Sequence, residues 1–230
     1  MQAVRRAVVL RYAAFQFVVL VATAMVLYPG GNYADGFAPH YRLTLNFLSD
    51  LGATRAWSGS MNYASCALFF TALTTIGAAL IAFAWSWRRF AFGRGRAAWA
   101  GYASAVFGTA SGAAFLGIAV TPVNLALTAH NSFVLAAFGS LLGYVACITI
   151  VMAANGAKRL LNAINAAYLL VVLGYVALVL FGPRLNTEGG FRTQVIGQKL
   201  VALASMIHIT FLTTQVARAA AKSLPSTAHA

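Results

Sequence analysis

Six long apolar runs constrain this chain of 230 residues more than any other feature of its sequence. Each run is close to the roughly 20 residues that an α-helix needs to cross a bilayer. We therefore predict an all-α fold, a polytopic integral membrane bundle of six transmembrane helices that forms a single domain over residues 1–230. The runs are Val8 to Tyr28, Met61 to Trp85, Ala98 to Val120, Asn131 to Ala153, Leu160 to Phe181 and Val195 to Ala217.

Composition agrees with a membrane location. Of the residues, 61% are apolar and only 8% are charged, whereas an average soluble domain is about 25% charged. The first run follows Arg5 and Arg6, as in a signal peptide, but it is too long for one and lacks a convincing small-residue cleavage site after Tyr28. The sequence thus predicts a retained first helix in a multi-pass protein of the cytoplasmic, or inner, cell membrane.

The distribution of basic residues predicts the orientation. Sixteen Lys and Arg against three acids give a formal charge of +13, which in a soluble protein would suggest a nucleic-acid partner. Here they lie mainly in short segments between the apolar runs, as expected beside anionic lipid. Eleven of them lie in the N-terminal segment, the second and fourth connections and the tail, and five lie in or beside the other connections. We therefore expect both termini in the cytoplasm, membrane lipids as partners and no nucleic-acid binding.

Small residues recur at helical spacing in two neighbouring runs. Such stripes let the backbones of two helices approach closely. We predict that the third and fourth helices pack tightly against each other. The stripes are Gly101, Ala105, Gly108 and Gly112 in the third run, and Ser132, Ala136, Gly139, Gly143 and Cys147 in the fourth.

The first outer connection, at about residues 29–60, is the longest. Its middle, from Tyr41 to Gly52, is typical of a short amphipathic helix that ends at a glycine. Such a helix would dip into the membrane interface or cap the bundle. Asn46, Ser49 and Asp50 share one of its faces. The alternative is that the serine and the aspartate only cap backbone groups.

An ionisable side chain inside an apolar run is the strongest indication of a functional site. His208 lies near the middle of the sixth run, where such a group is costly unless it faces the bundle interior or a water-filled cavity. Ser205, Gln198 and Gln194 precede it on one helix face. This pattern predicts a cavity open to the outside, and the alternative is a neutral histidine hydrogen-bonded to another helix.

Other polar residues are expected to join His208 beneath the outer face. His130 and Asn131 begin the fourth helix, which places them at the outer surface. The catalytic candidates are Ser49, Asp50, His130 and His208. The ligand-binding candidates are Asn46, Asn131, Glu188, Gln194, Gln198, Lys199 and Ser205.

Two chemistries fit these residue types. Zinc takes three or four N, O or S ligands, and His130, His208 and Asp50 could supply three, although the chain has no local HxxxH or HExxH pair. A hydrolase with a serine, a histidine and an aspartate would instead use Ser49 and Asp50 with one of the histidines. The sequence specifies neither a metal nor another cofactor.

One stretch of the outer connection resembles a known family. Asn46-Phe47-Leu48-Ser49-Asp50-Leu51-Gly52, followed by Asn62 and the segment from Phe69 to Gly77, is similar to the bacterial and archaeal six-helix membrane family called domain of unknown function 998. A second block agrees, namely Gly117-Ile118-Ala119-Val120-Thr121-Pro122 followed by His130-Asn131.

The resemblance extends from Leu45 to Gly143. It implies a six-helix fold, membrane residence and matched motif positions at Ser49, Asp50 and His130, but no established reaction. The chain has Asn124 where the family pattern has an acid shortly after Pro122, which weakens the transfer of a metal site.

Three functions remain open at this point. The first is a membrane protein with an outward-facing polar pocket that binds a lipid headgroup or a small amphiphile. The second is an intramembrane lipid-processing hydrolase that uses His, Asp and Ser with or without a metal. The third is a small transporter, for which we would expect discontinuous helices or an inverted repeat. The sequence leaves the oligomeric state open.

Overall fold

The computed structural model describes the backbone of residues 2–91 and 97–222. Six helices in this part of the chain are long and apolar enough to cross a membrane, which confirms the predicted all-helical, six-helix architecture. Arg94 and Arg96, two of the basic residues behind the predicted orientation, lie outside the described residues. The helices are α1 (Gln2–Leu27), α2 (Tyr63–Ala91), α3 (Ala98–Val120), α4 (Leu127–Ala154), α5 (Arg159–Phe181) and α6 (Glu188–Lys222).

Three helices begin four or more residues before their apolar runs, namely α1 at Gln2, α4 at Leu127 and α6 at Glu188. In α6 the first turn is polar and carries Glu188, whose carboxylate lies 2.8 Å from the Arg192 guanidinium one turn later. A carboxylate is favourable at a helix N-terminus and in such an i,i+4 pair. In α4 the backbone begins to turn at Pro122, whose carbonyl accepts from two N–H groups of residues 125 and 126. Helix boundaries therefore follow local polar contacts as well as hydropathy.

The helices form a closed ring. Each helix contacts the next in chain order, and α6 also packs against α1. We call the end where α1 begins and α6 ends the base, and the opposite end the cap end. The segment 28–62, which we call the cap, connects α1 to α2 at the cap end. The short connections 121–126 and 182–187 lie at the same end.

Glycines allow the closest contacts in the ring. A Cβ built on Gly112 of α3 would stand 2.6 Å from the Gly77 carbonyl oxygen of α2. A Cβ on Gly143 of α4 would stand 2.8 Å from the Phe107 ring of α3, whereas one on Gly139 would meet open space. The predicted close packing of α3 and α4 is confirmed, and the α3 stripe packs against α2 as well. The predicted α4 stripe is only partly correct, because Ser132 and Ala136 are exposed.

Candidate functional site

The cap contains a short 3-10 helix in place of the predicted amphipathic helix. The helical part of the cap is limited to Leu48–Gly52, and the segment from Tyr41 to Asn46 is not helical. The Asn46 side chain explains the difference. Its Oδ1 accepts from the Arg42 N–H (2.9 Å) and its Nδ2 donates to the Gly31 carbonyl (3.0 Å). Such bonds offer the backbone an alternative to the helical pattern.

Asp50 is fixed within the cap. Its Oδ2 accepts from Asn46 Nδ2 (3.0 Å) and from the Phe47 N–H (2.9 Å). Asn46 and Asp50 thus meet through this bond and not on a shared helix face with Ser49, as was predicted, because Asn46 lies outside the helix. The Trp57 side chain also bonds to it. Burial raises the pKa of the Asp50 carboxyl, while these donors and the positive charge of Lys199 act in the opposite direction. We conclude that Asp50 holds the cap together.

Two polar residues of α6 fasten the cap to the ring. The Lys199 ammonium donates to the Asn46 carbonyl and lies 5.4 Å from the centroid of the Tyr41 ring. Gln198 Oε1 accepts from the Leu48 N–H at 2.6 Å. These contacts place the cap over the interior of the bundle, so that the 3-10 helix lies against the space between the helices.

That space is an apolar cavity of about 100 Å³ lined by all six helices and the 3-10 helix. On α4 it extends from His130 to Val145, which corresponds to about 22 Å along a helix that rises 1.5 Å per residue. Leu, Ile, Val, Phe, Met and Ala contribute most of the lining. The polar pocket expected from the sequence is therefore a long apolar cavity with a few polar side chains.

His130 lies at the cap end of this cavity. Only 3% of its surface is exposed, whereas the sequence placed it at the outer surface, and its neighbour Asn131 is the exposed residue of the two. The imidazole turns inward because its Nδ1–H donates to the Thr121 carbonyl (2.7 Å). That carbonyl ends α3, where Pro122 follows and intrahelical donors run out.

The bond to Thr121 determines which ring nitrogen carries the proton. A carbonyl oxygen only accepts, so Nδ1 is the protonated nitrogen of the neutral ring and Nε2 holds a lone pair. Nε2 is buried and has no hydrogen-bond partner among the described residues. Buried polar atoms are nearly always paired in native structures. This nitrogen is therefore an acceptor available to a bound molecule.

Ser49 contributes a second free group at the cap end. It lines the same cavity, is 8% exposed, and its hydroxyl makes no hydrogen bond within the described part of the chain. The Gln198 side chain lies at this end as well. The carboxamide oxygen accepts from the Leu48 N–H, and the NH₂ group donates to the Tyr175 hydroxyl.

Farther from the cap, the deep end of the cavity carries polar groups that bind each other. His208 Nε2 donates to Asn165 Oδ1 of α5 (2.8 Å), and the amide of Asn165 bonds to the Thr149 hydroxyl of α4. The Tyr168 hydroxyl donates to Ser205 (2.8 Å), and the Tyr168 ring stacks on His208 at 4.0 Å. His208 thus makes the interhelical hydrogen bond that the sequence analysis gave as the alternative.

Other predicted ligand-binding residues lie away from the cavity. Glu188 is exposed and pairs with Arg192, and Gln194 Nε2 donates to the Leu178 carbonyl (2.8 Å). In the residues that the structure covers, no three His, Cys, Asp or Glu side chains come together as a metal site would need. The predicted zinc ligands Asp50, His130 and His208 therefore do not form one cluster.

Some site residues were missed at the sequence level. Asn165 and Tyr168 lie one helical turn apart on α5 and face His208, and an asparagine within an apolar run was the available signal. Thr121 acts through its backbone carbonyl, which no side-chain pattern reveals. Tyr144 also lines the cavity, with a buried hydroxyl that has no partner in the described chain.

Comparison of the chain with protein-family models, with curated proteins and with solved structures finds no match in any of the three. The resemblance to domain of unknown function 998 stays a prediction.

Proposed function

We propose that this protein binds a single-chain amphiphile inside the membrane, with the apolar chain in the cavity and the polar end at Ser49 and His130. The observation that supports this function best is the combination of a long apolar cavity with two unpaired polar groups at one end. The apolar lining matches a hydrocarbon chain, because burial of apolar surface drives binding in such cavities. The free hydroxyl and the free imidazole nitrogen match a polar end group.

The orientation of the ligand in the cavity follows from the difference between the free polar groups at the cap end and the paired ones at the deep end. Apart from the Tyr144 hydroxyl, the polar side chains described at the deep end already have partners, as in the bond between His208 and Asn165. A ligand would have to displace these bonds to bind there. At the cap end, His130 Nε2 has no existing hydrogen bond to break when it accepts one from a ligand. Leaving such a buried atom unpaired costs about 1–3 kcal/mol. The polar end of the amphiphile therefore lies beneath the cap.

We further propose that the cap end faces outward from the cytoplasmic membrane and that both termini lie in the cytoplasm. The excess of basic residues at the base supports this orientation. Single cysteines at Lys158 and at Asn186 test it, in a background where Cys66 and Cys147, both free thiols, are alanine. In intact cells an impermeant thiol reagent should label position 186 and not 158. The reverse pattern would refute the orientation.

Binding is tested with two isoleucines of α6 as a matched pair. Ile209 lines the cavity and Ile207 is 62% exposed on the lipid-facing side. The probe is cis-parinaric acid, a fluorescent straight-chain fatty acid, titrated into purified protein in detergent. Saturable binding is expected for the wild type and for Ile207→Trp. In Ile209→Trp the indole fills the cavity, and we expect affinity to fall at least about tenfold, or 1.4 kcal/mol.

Equal affinity in the two tryptophan variants would show that the probe does not occupy the cavity and would overturn the proposal. Thermal unfolding of both variants accompanies the titration, so that a loss of binding is interpreted only for folded protein. Should Ile209→Trp not fold, Ala202→Leu narrows the same cavity by a smaller amount, with Leu203→Ala as its exposed neighbour.

A further inference from the structure

We propose that the bound amphiphile is a carboxylic ester and that Ser49 and His130 hydrolyse it. This inference rests on the proposed binding function and adds a reaction to it. It uses Ser49 as the nucleophile, His130 as the general base and Gln198 as a donor to the developing oxyanion.

The histidine has the arrangement that a general base needs. Its Nδ1–H is held by the Thr121 carbonyl at 2.7 Å, which fixes both the ring orientation and the tautomer. In serine hydrolases a carboxylate commonly holds that nitrogen, and here a backbone carbonyl supplies the acceptor. The opposite nitrogen is left with its lone pair, buried and without a partner in the described part of the protein.

The serine has the matching property. A hydroxyl that lines a cavity normally donates to a nearby carbonyl, as the Ser205 hydroxyl does to the Val201 carbonyl (2.7 Å). Ser49 makes no such bond, although 92% of its surface is covered. It lies on a 3-10 helix that is held at both ends. The Leu48 N–H donates to Gln198, and the Leu51 carbonyl accepts from Asn62 and from the Ser65 hydroxyl. A rigid support of this kind holds a nucleophile in position.

Gln198 supplies the remaining element. Its carboxamide oxygen accepts from the Leu48 N–H and its NH₂ group donates to the Tyr175 hydroxyl. One N–H of that group is left for a ligand in the cavity that Gln198 lines. An amide N–H can stabilise the negative charge that develops on a carbonyl oxygen during attack. The bond to Leu48, next to Ser49, couples the position of this donor to that of the nucleophile.

The reaction consumes one ester and one water. The Ser49 oxygen attacks the ester carbonyl carbon while its proton passes to His130 Nε2. When the carbon–oxygen bond to the alcohol breaks, that proton goes to the leaving oxygen, and the acyl group remains on Ser49. Water then attacks the acyl carbon and gives its proton to His130, which returns it to the Ser49 oxygen. The products are a carboxylic acid and an alcohol, and both side chains are restored.

Asp50 and His208 have no part in this chemistry. The Asp50 carboxylate is engaged by Asn46 and Phe47 within the cap, and His208 is bonded to Asn165 at the deep end of the cavity. Asp50 follows Ser49 directly in the sequence, but its hydrogen bonds within the cap keep it out of the reaction.

The experiment uses the purified full chain, with p-nitrophenyl laurate as substrate and a straight-chain alkyl fluorophosphonate as covalent probe. We expect Ser49→Ala to lose hydrolysis down to the uncatalysed background and His130→Gln to lose about 10²–10⁴-fold. Ser60→Ala, an exposed serine of the same cap, should hydrolyse like the wild type. Peptide mapping should find the fluorophosphonate on Ser49.

Binding of cis-parinaric acid to the same samples separates this inference from the proposed function. Binding without hydrolysis by the wild type, hydrolysis that survives Ser49→Ala, or a label on another residue would each overturn the reaction and leave ligand binding intact. Absence of binding would overturn both. If Ser49→Ala does not fold, Ser49→Cys keeps a side chain of similar size, and its loss of fluorophosphonate labelling gives the same answer.

Discussion

The two ends of the cavity use the same kinds of side chain in opposite ways. At the cap end His130 and Ser49 have free polar atoms. At the deep end His208 is bonded to Asn165, and Ser205 accepts from Tyr168. Each end thus has one histidine and one serine, and the two ends differ in the hydrogen-bond partners of these side chains. Residue type therefore indicates where polar chemistry lies, while partners indicate whether it is available to a ligand.

The energetic reason lies in the surroundings of each end. Deep in a membrane bundle no water satisfies a polar group, so helices that carry such groups pair them with one another. The cap end is held together by another set of hydrogen bonds, centred on Asn46 and Asp50. These bonds do not involve His130 Nε2 or the Ser49 hydroxyl. The Tyr144 hydroxyl is the exception at the deep end, since it is buried without a partner in the described residues.

The largest expected effect contrasts the two histidines. His130→Gln should lower ester hydrolysis by about 10²–10⁴-fold, because glutamine cannot accept and return a proton. His208→Gln should leave hydrolysis unchanged, because glutamine can still donate to Asn165. Initial rates with p-nitrophenyl laurate measure both variants. Equal losses at the two positions would remove the distinction between the two ends.

The next effect concerns the bonds that hold the cap. Asn46 is fully buried and bonds to Arg42, Gly31 and Asp50. At about 1 kcal/mol for each bond, Asn46→Ala should lower the free energy of unfolding by about 3 kcal/mol. The exposed Asn131 provides the control, for which alanine should change stability by at most about 0.5 kcal/mol. Denaturant titration in mixed micelles measures both, and similar values would contradict the role of the cap.

The pH dependence of stability tests Asp50. Burial raises its pKa from the ordinary value of 3.8, so the folded protein binds this proton more tightly than the unfolded chain. The stabilisation is complete below pH 3.8 and is lost as the pH rises through the folded pKa. As the pH rises from 3.8 through the folded pKa, the Tm of the wild type should therefore fall relative to that of Asp50→Asn. The exposed Asp35→Asn is the control, and a shift of opposite sign would refute this pKa direction.

The smallest effect is the pairing at the deep end. A double-mutant cycle with His208→Ala and Asn165→Ala should give a coupling energy of about 0.6 kcal/mol, the average for interhelical hydrogen bonds in a membrane protein. Unfolding of the four proteins under one detergent condition measures it. A coupling energy of zero would mean that the His208 imidazole is as free to bind a ligand as that of His130.

The sequence was sufficient for the parts of the fold that depend on hydropathy. The six apolar runs predicted six helices, and the stripe that contains Gly108 and Gly112 predicted close packing. The starts of α1, α4 and α6 were less accurate. That of α6 depends on a polar contact, the pair of Glu188 with Arg192.

The site was less predictable. Ser49, His130 and Gln198 do line one cavity. The inward orientation of His130, however, depends on the Thr121 carbonyl. A pattern of side chains does not reveal which backbone groups are free to accept a hydrogen bond. The helical stripe ending at His208 was identified, yet its function depends on Asn165 in another helix. Pairing across helices follows from tertiary structure and cannot be deduced from the spacing within one helix.

The closure of the ring between α6 and α1 has a consequence for biosynthesis. The contact of α6 with α1 closes the ring, and these are the last and the first of the six helices in the chain. If the helices are inserted into a membrane one after another, as our proposal implies, we expect the future cavity to stay open to lipid chains until α6 is in place. We then expect α6 to close around hydrocarbon.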